Sequence, residues 1–131
     1  MLTREADHTV RILRHLASPE ILKEGTTAMA IHAELGIPGI LLRGILRRLT
    51  VAGIVHSRRG RTGGVGLEEK ALKLSILDAI DAVESKKTRK LRMWNSECEN
   101  SADPVCALFC KAHAKAREVL AGTTVAQLVE Q

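Results

Sequence analysis

Apolar residues recur every third or fourth position over most of this chain and alternate only briefly in the middle, a pattern of helices interrupted by one small hairpin. Thr3 is placed to cap a first helix, with Ala6, Val10, Leu13 and Ala17 on its buried stripe and Ser18-Pro19 as its end. A looser stretch runs to Gly25. Thr26 or Thr27 then caps a short helix holding Met29, Ala30, Ala33 and Glu34, and Gly36 stops it. Pro38 opens a third helix, where a first-turn proline gives up no hydrogen bond. Its buried side is Leu42, Ile45, Leu46 and Leu49, and Gly39, Arg43 and Arg47 fall on the opposite side. Gly53 ends this helix. Residues 54–57 and 65–67 flank the turn RRGRTGG as two short strands. Ser75 with Asp78 starts another helix, with Ile76, Ile80 and Val83 inward. Asp103-Pro104 starts a long one that reaches Gly122 and carries Val105, Leu108, Ala112, Ala116 and Val119 as an exposed apolar stripe in want of a partner helix. Thr124 and Gln127 form a capping box for a last short helix.

Three helices followed by a glycine-tipped hairpin predict a winged helix-turn-helix with the third helix as its reader, so the fold class is mainly α with a small β-wing. Charge sharpens this. The formal net charge is +5, but no acidic residue lies between Glu34 and Glu68, whereas Arg43, Arg47, Arg48, Arg58, Arg59 and Arg61 do. The acid-free run coincides with the third helix and the wing, the two elements that would meet DNA. Arg43 and Arg47 are spaced to address one stretch of major groove, where the guanidinium fork grips a guanine edge. Arg48 sits on the flank, suited to phosphate, and Arg58, Arg59 and Arg61 would hold backbone or enter the minor groove. A second basic run, Lys86 to Arg92, reads as a solvated linker.

Aromatic residues make up 2 % of the chain, so the core must be aliphatic, as suits packed helices. The charged amino terminus has no apolar stretch long enough for a signal peptide or a membrane span, which places the protein in the cytoplasm. Reducing conditions there bear on the one concentrated piece of chemistry, Cys98, Cys106 and Cys110 with His113 three places on. Cys106, Cys110 and His113 share a face if the segment is helical. An odd number of cysteines cannot close into an all-paired disulfide framework, and the spacing is not that of a zinc ribbon or finger. Paired carboxylates, a nucleophile with its base and a phosphate-cradling loop are all lacking, so an enzyme is not expected, and no small-molecule substrate is either.

The order of parts resembles the IscR/NsrR family of bacterial winged-helix regulators, many of which carry an iron–sulfur cluster. The resemblance covers nearly the whole chain. It is carried by LTREADHTVRILRHLA, by AELGIP followed by LRGILRRLTVAGIVHSRRGRTGGVGL, by ILDAIDAVES, by three cysteines before a long dimerisation helix, and by the closing TTVAQLVEQ. Two departures stand out. Val65 replaces the aromatic residue that usually follows the paired glycines of the wing, and the gap between Cys106 and Cys110 is shorter than is usual. The resemblance implies a cluster, 2Fe–2S or 4Fe–4S, on the three cysteines, with His113 as fourth ligand in the IscR manner or Asp7 in the NsrR manner. Three cysteines and a histidine would equally hold tetrahedral zinc, and bare thiols near a helix start would sense oxidants with no metal at all.

The domains expected are a winged helix-turn-helix over residues 1–85, a basic linker and the start of the cysteine loop over 86–103, and a dimerisation helix with a short terminal helix over 104–131. The expected function is that of a homodimeric transcription regulator, a repressor by family habit, reading a near-palindromic double-stranded operator under control of the cysteine site. A redox or metal-carrier protein is the competing class, and it has no use for a helix-turn-helix with a wing.

Overall fold

A computed structural model describes residues 3–58, 64–84 and 102–130. Helix α1 (Arg4–Leu16) starts as expected, with the Thr3 hydroxyl accepting from the Ala6 amide at 3.1 Å. The loose stretch is in fact a further helix, α2 (Pro19–Glu24). Pro19 that ends α1 also serves as the first residue of α2, where its fixed φ is already helical. Helix α3 (Ala28–Leu35) is capped by Thr27 and stopped by Gly36, whose φ of 67° lies in the left-handed region that side chains other than glycine rarely adopt. Helix α4 (Gly39–Val51) follows after Pro38 and is therefore the fourth helix of the chain.

His32 fixes the turn between α3 and α4. Its Nδ1 lies 2.6 Å from the Ile37 carbonyl oxygen. A carbonyl only accepts, so Nδ1 carries the proton.

The wing consists of β1 (Val55–Arg58) and β2 (Gly64–Leu67), antiparallel, with Val55 opposite Leu67 and Arg58 opposite Gly64. Thr26 adds a third rung on the other edge of β2, exchanging both backbone hydrogen bonds with Val65 at 2.9 and 2.7 Å. That bridge ties the wing to the start of the helix-turn-helix. A 3₁₀ turn over Glu69–Lys73, which periodicity did not reveal, leads into α5 (Ile76–Val83), capped by Ser75. Helix α6 (Pro104–Ala121) is capped by Asp103, and α7 (Val125–Val129) carries the expected capping box of Thr124 and Gln127.

Ile12, Leu13 and Leu16 of α1, Ile31 of α3, Leu42, Ile45 and Leu49 of α4 and Val83 of α5 meet in one aliphatic core. Val125 of α7 joins it. The Ile76 amide donates to the Thr123 carbonyl at 2.8 Å and the Val125 amide to the Leu74 carbonyl at 3.0 Å, which stitch the C-terminal segment to the start of α5. Thr9 is a fully buried polar side chain among these, and its hydroxyl is satisfied by donating to the Glu5 carbonyl at 2.8 Å. No helix among the described residues is long and apolar enough to cross a membrane.

Candidate nucleic-acid interface and thiol face

Burial divides α4 cleanly. Leu42, Ile45, Leu46 and Leu49 face the core, while Ile40, Arg43, Arg47 and Val51 stand out from the opposite side. Arg43 and Arg47 have no hydrogen-bond or ion-pair partner among the described residues, so both guanidinium groups project with their donors uncommitted. Arg48 differs. Its Nη1 donates to the Glu5 carboxylate of α1 and, at 2.8 Å, to the Val83 carbonyl at the end of α5. The carbonyl is one of those a helix end leaves without an internal partner, and Arg48 satisfies it. This arginine pins α4 to two neighbours, a role its place in the basic run did not suggest. The partner Glu5 carries no sequence signal beyond being an acid in a first helical turn.

Arg58 is likewise engaged. Its Nη1 donates to the Glu24 carbonyl at 2.7 Å and Nη2 reaches the Lys23 carbonyl at 3.4 Å, so the wing is pinned to the end of α2. Its neighbour on β1, His56, lies across Gly66, where a Cβ would sit 2.8 Å from Nε2. Glycine is required there for the histidine to lie flat on the strand and bring Nδ1 to 3.3 Å from the Glu68 carboxylate. Arg59 and Arg61, at the tip, lie outside the described residues, as do Trp94 and Cys98. Of the six arginines of the acid-free run, two are uncommitted, two hold the scaffold together and two are not described. Among the described arginines of that run, Arg43 and Arg47 are the two whose donors are not taken up by the scaffold.

Helix α6 also has two faces. Cys106, Cys110, His113, Arg117 and Leu120 are half-buried or buried and form the stripe turned toward α5, where Arg117 lies 3.7 Å from the Asp81 carboxylate. Val105, Leu108, Phe109 and Val119 are exposed on the outer side, as the spacing predicted for all but Phe109. Cys110 is buried, at 8 % exposure, and Cys106 is disulfide-bonded. With Cys106 reduced, two thiolates and an imidazole on one face of one helix would be soft donors of the kind that hold iron–sulfur clusters or zinc, so the donor chemistry of the reduced stripe fits such a group. Among the described residues no three such ligands converge. Asp7 lies on α1 with its carboxylate exposed and accepts from Arg11 Nε at 2.8 Å. That hydrogen bond holds the Asp7 carboxyl below the ordinary aspartate value against the opposing effect of burial, with lesser help from the charges of Arg11 and His8.

A capped helix-turn-helix, a reader helix with free arginines and a wing pinned behind it define a winged-helix DNA-binding protein. Comparison with known proteins gives the family. Residues 2–131 match the Rrf2 family, described as iron-dependent transcriptional regulators, and the chain belongs to it. It is a DNA-binding transcription regulator and not an enzyme. Over 138 residues it is 29 % identical to the protein aau3 of Rhizobium meliloti strain 1021, covering 98 % of this chain and 84 % of that one. Among solved structures it is similar to IscR of T. potens, with a TM-score of 0.77 at 21 % identity over 99 % of this chain and 86 % of that one. The oxidised form of Staphylococcus aureus CymR superposes with a TM-score of 0.76 at 22 % identity, over 100 % of this chain and 97 % of that one. At such identities the two structures speak to the fold.

Proposed function

We propose that the protein acts as a homodimer that binds a near-palindromic double-stranded operator, represses transcription from it, and changes its operator affinity with the chemical state of Cys98, Cys106 and Cys110. The observation that carries this reading is the division of α6, whose thiol and imidazole stripe lies against α5 while its apolar stripe is left for a second copy. The inner stripe adjoins the helix whose last carbonyl is held by Arg48 of α4, so a change at the cysteines has a continuous packed route to the reader helix. Arg43 and Arg47 read bases, and Arg59 and Arg61 hold backbone.

In the principal form of this reading the three cysteines hold an iron–sulfur cluster, with His113 or Asp7 as fourth ligand. A nitrogen or oxygen ligand in place of a thiolate leaves a weaker, more reactive corner, which is what a sensor of oxidants or nitric oxide requires. His113 has the advantage of already sharing the stripe with Cys106 and Cys110, whereas Asp7 would have to give up Arg11. A second reading, thiol sensing without a metal, is favoured by the disulfide on Cys106. Zinc in the same ligand set is the static alternative.

The test is anaerobic purification, a visible absorption spectrum, and iron, sulfide and zinc analysis on one sample, followed by operator binding before and after oxidation. Brown protein with matching iron and sulfide, and binding that changes on cluster loss, bears out the principal reading. Colourless, metal-free protein whose binding follows a thiol reductant establishes the second. Zinc with redox-indifferent binding removes the sensing role.

A further inference from the structure

The reader helix exposes an apolar side chain that the fold does not use. Ile40 is 86 % exposed, more than any other large apolar side chain among the described residues. It precedes Arg43 by three residues and Arg47 by seven, so the three side chains lie in one row along the outer face of α4, spanning about 10 Å. Both arginines are uncommitted. Gly39 and Gly44 flank this row, and the fold explains neither of them. A Cβ at Gly39 would meet nothing within 4 Å, and one at Gly44 would meet only the end of Arg48 at 3.6 Å. Neither has a positive φ. Glycine in the middle of a helix costs about 1 kcal/mol relative to alanine, so Gly44 beside this row fits a surface that must come close to the backbone from outside.

A helix lying in the major groove presents its N-terminal residues to the base edges. Ile40 is the second residue of α4 and carries no polar atom, so it has nothing to offer a base except contact. The apolar group the major groove displays is the C5-methyl of thymine. Resting on the operator-binding reading above, we propose that Ile40 is a specificity-determining residue that packs on a thymine methyl beside the base pair read by Arg43, so that each half-site requires a thymine at one position. Val51 is nearly as exposed, at 84 %, but it sits at the far C-terminal end of α4, eleven residues beyond Ile40, whereas base edges meet the N-terminal residues of a reading helix, and it takes no part.

The experiment begins with selection of duplexes from a random pool by the full-length protein. Each thymine of the enriched half-site is then replaced singly by deoxyuridine, which removes only the methyl. Dissociation constants are measured for the wild type, Ile40→Ala and Val51→Ala. At one position per half-site the wild type and Val51→Ala should lose about fourfold in affinity, the worth of one buried methyl group, and Ile40→Ala should lose nothing. Because Ile40 is outside the core and alanine is the better helix former, the variant is expected to fold as the wild type does, checked by circular dichroism. Deoxyuridine that costs Ile40→Ala as much as the wild type at every position overturns the assignment, and so does a wild type indifferent to all thymine methyls. A wild type that enriches no sequence at all removes the operator-binding reading itself, a failure distinct from the other two.

Discussion

Four arginines of the same basic run do different work because of what lies within reach of each. Among the described residues Arg43 and Arg47 find no acid or carbonyl, which leaves their donors for the proposed base contacts. Arg43→Ala or Arg47→Ala should relax base preference and cost about 1–3 kcal/mol of specific binding while leaving stability nearly unchanged, as measured by competition against mismatched duplexes. Arg58 resembles them in sequence but is tied to the carbonyls of Glu24 and Lys23. Its replacement by alanine should lower unfolding stability by about 1 kcal/mol, the net worth of such a bond at a surface position, with the wing loosened from α2. A drop in affinity for all duplexes alike, with a flatter salt slope, is the further result expected if Arg58 also touches phosphate. Asp7 supplies a pH prediction. Its carboxyl is lowered chiefly by the hydrogen bond from Arg11, so the pair contributes stability above the unfolded-chain value near 4, and that contribution is lost as pH falls through the lowered folded value. An NMR titration should place the Asp7 midpoint below the ordinary one, and Arg11→Ala should return it there.

Helix α4, the proposed reader, is held by neighbours on three sides. Leu42, Ile45 and Leu49 anchor it to the core, His32 sets the turn that leads into it, and Arg48 joins it to α1 and to the last carbonyl of α5. Arg48→Ala removes two bonds at once. The side chain is half-exposed and screened on one side, which keeps the expected loss to about 1–2 kcal/mol in denaturant unfolding. Glu5→Gln should give a smaller loss, because the bond to Val83 survives it. If the α5 carbonyl is the route from the cysteine site to the reader, Arg48→Ala should also lessen the difference in operator affinity between oxidised and reduced protein, whereas Glu5→Gln should largely preserve it. Equal redox response in both variants would show that Arg48 is only a brace.

Over the whole chain the apolar surface is unevenly spent. The aliphatic core takes one face of each of α1, α3, α4 and α5, yet α6 keeps Val105, Leu108, Phe109 and Val119 in water. An exposed stripe of this kind on an 18-residue helix is the surface through which the proposed dimer would pair. Leu108→Asp together with Phe109→Asp should convert the dimer to a monomer in sedimentation equilibrium and abolish tight binding to a two-half-site operator. Single half-site contacts and the winged-helix lobe should survive, since neither side chain belongs to the core. A double variant that still sediments as a dimer would place the interface elsewhere.

Nearly all the regular elements were legible in the linear pattern, because caps, first-turn prolines, stop glycines and apolar spacing act over a few residues and need no tertiary partner. Thr3, Gly36, Pro38, Ser75 and the Thr124–Gln127 box all act where the spacing put them. Helix α2 and the 3₁₀ turn escaped because six and five residues are too few to show a period. The basic character of the reader and wing was legible too, as a run without acids. Which arginines remain free was not, since that depends on carbonyls and a carboxylate brought in from residues 23, 24, 5 and 83, far away in sequence and adjacent only after folding. The same holds for the cysteines. Helical spacing put Cys106, Cys110 and His113 on one face, but that this face turns inward onto α5 and leaves the apolar stripe outside is a matter of packing between α5 and α6, and no local rule encodes it.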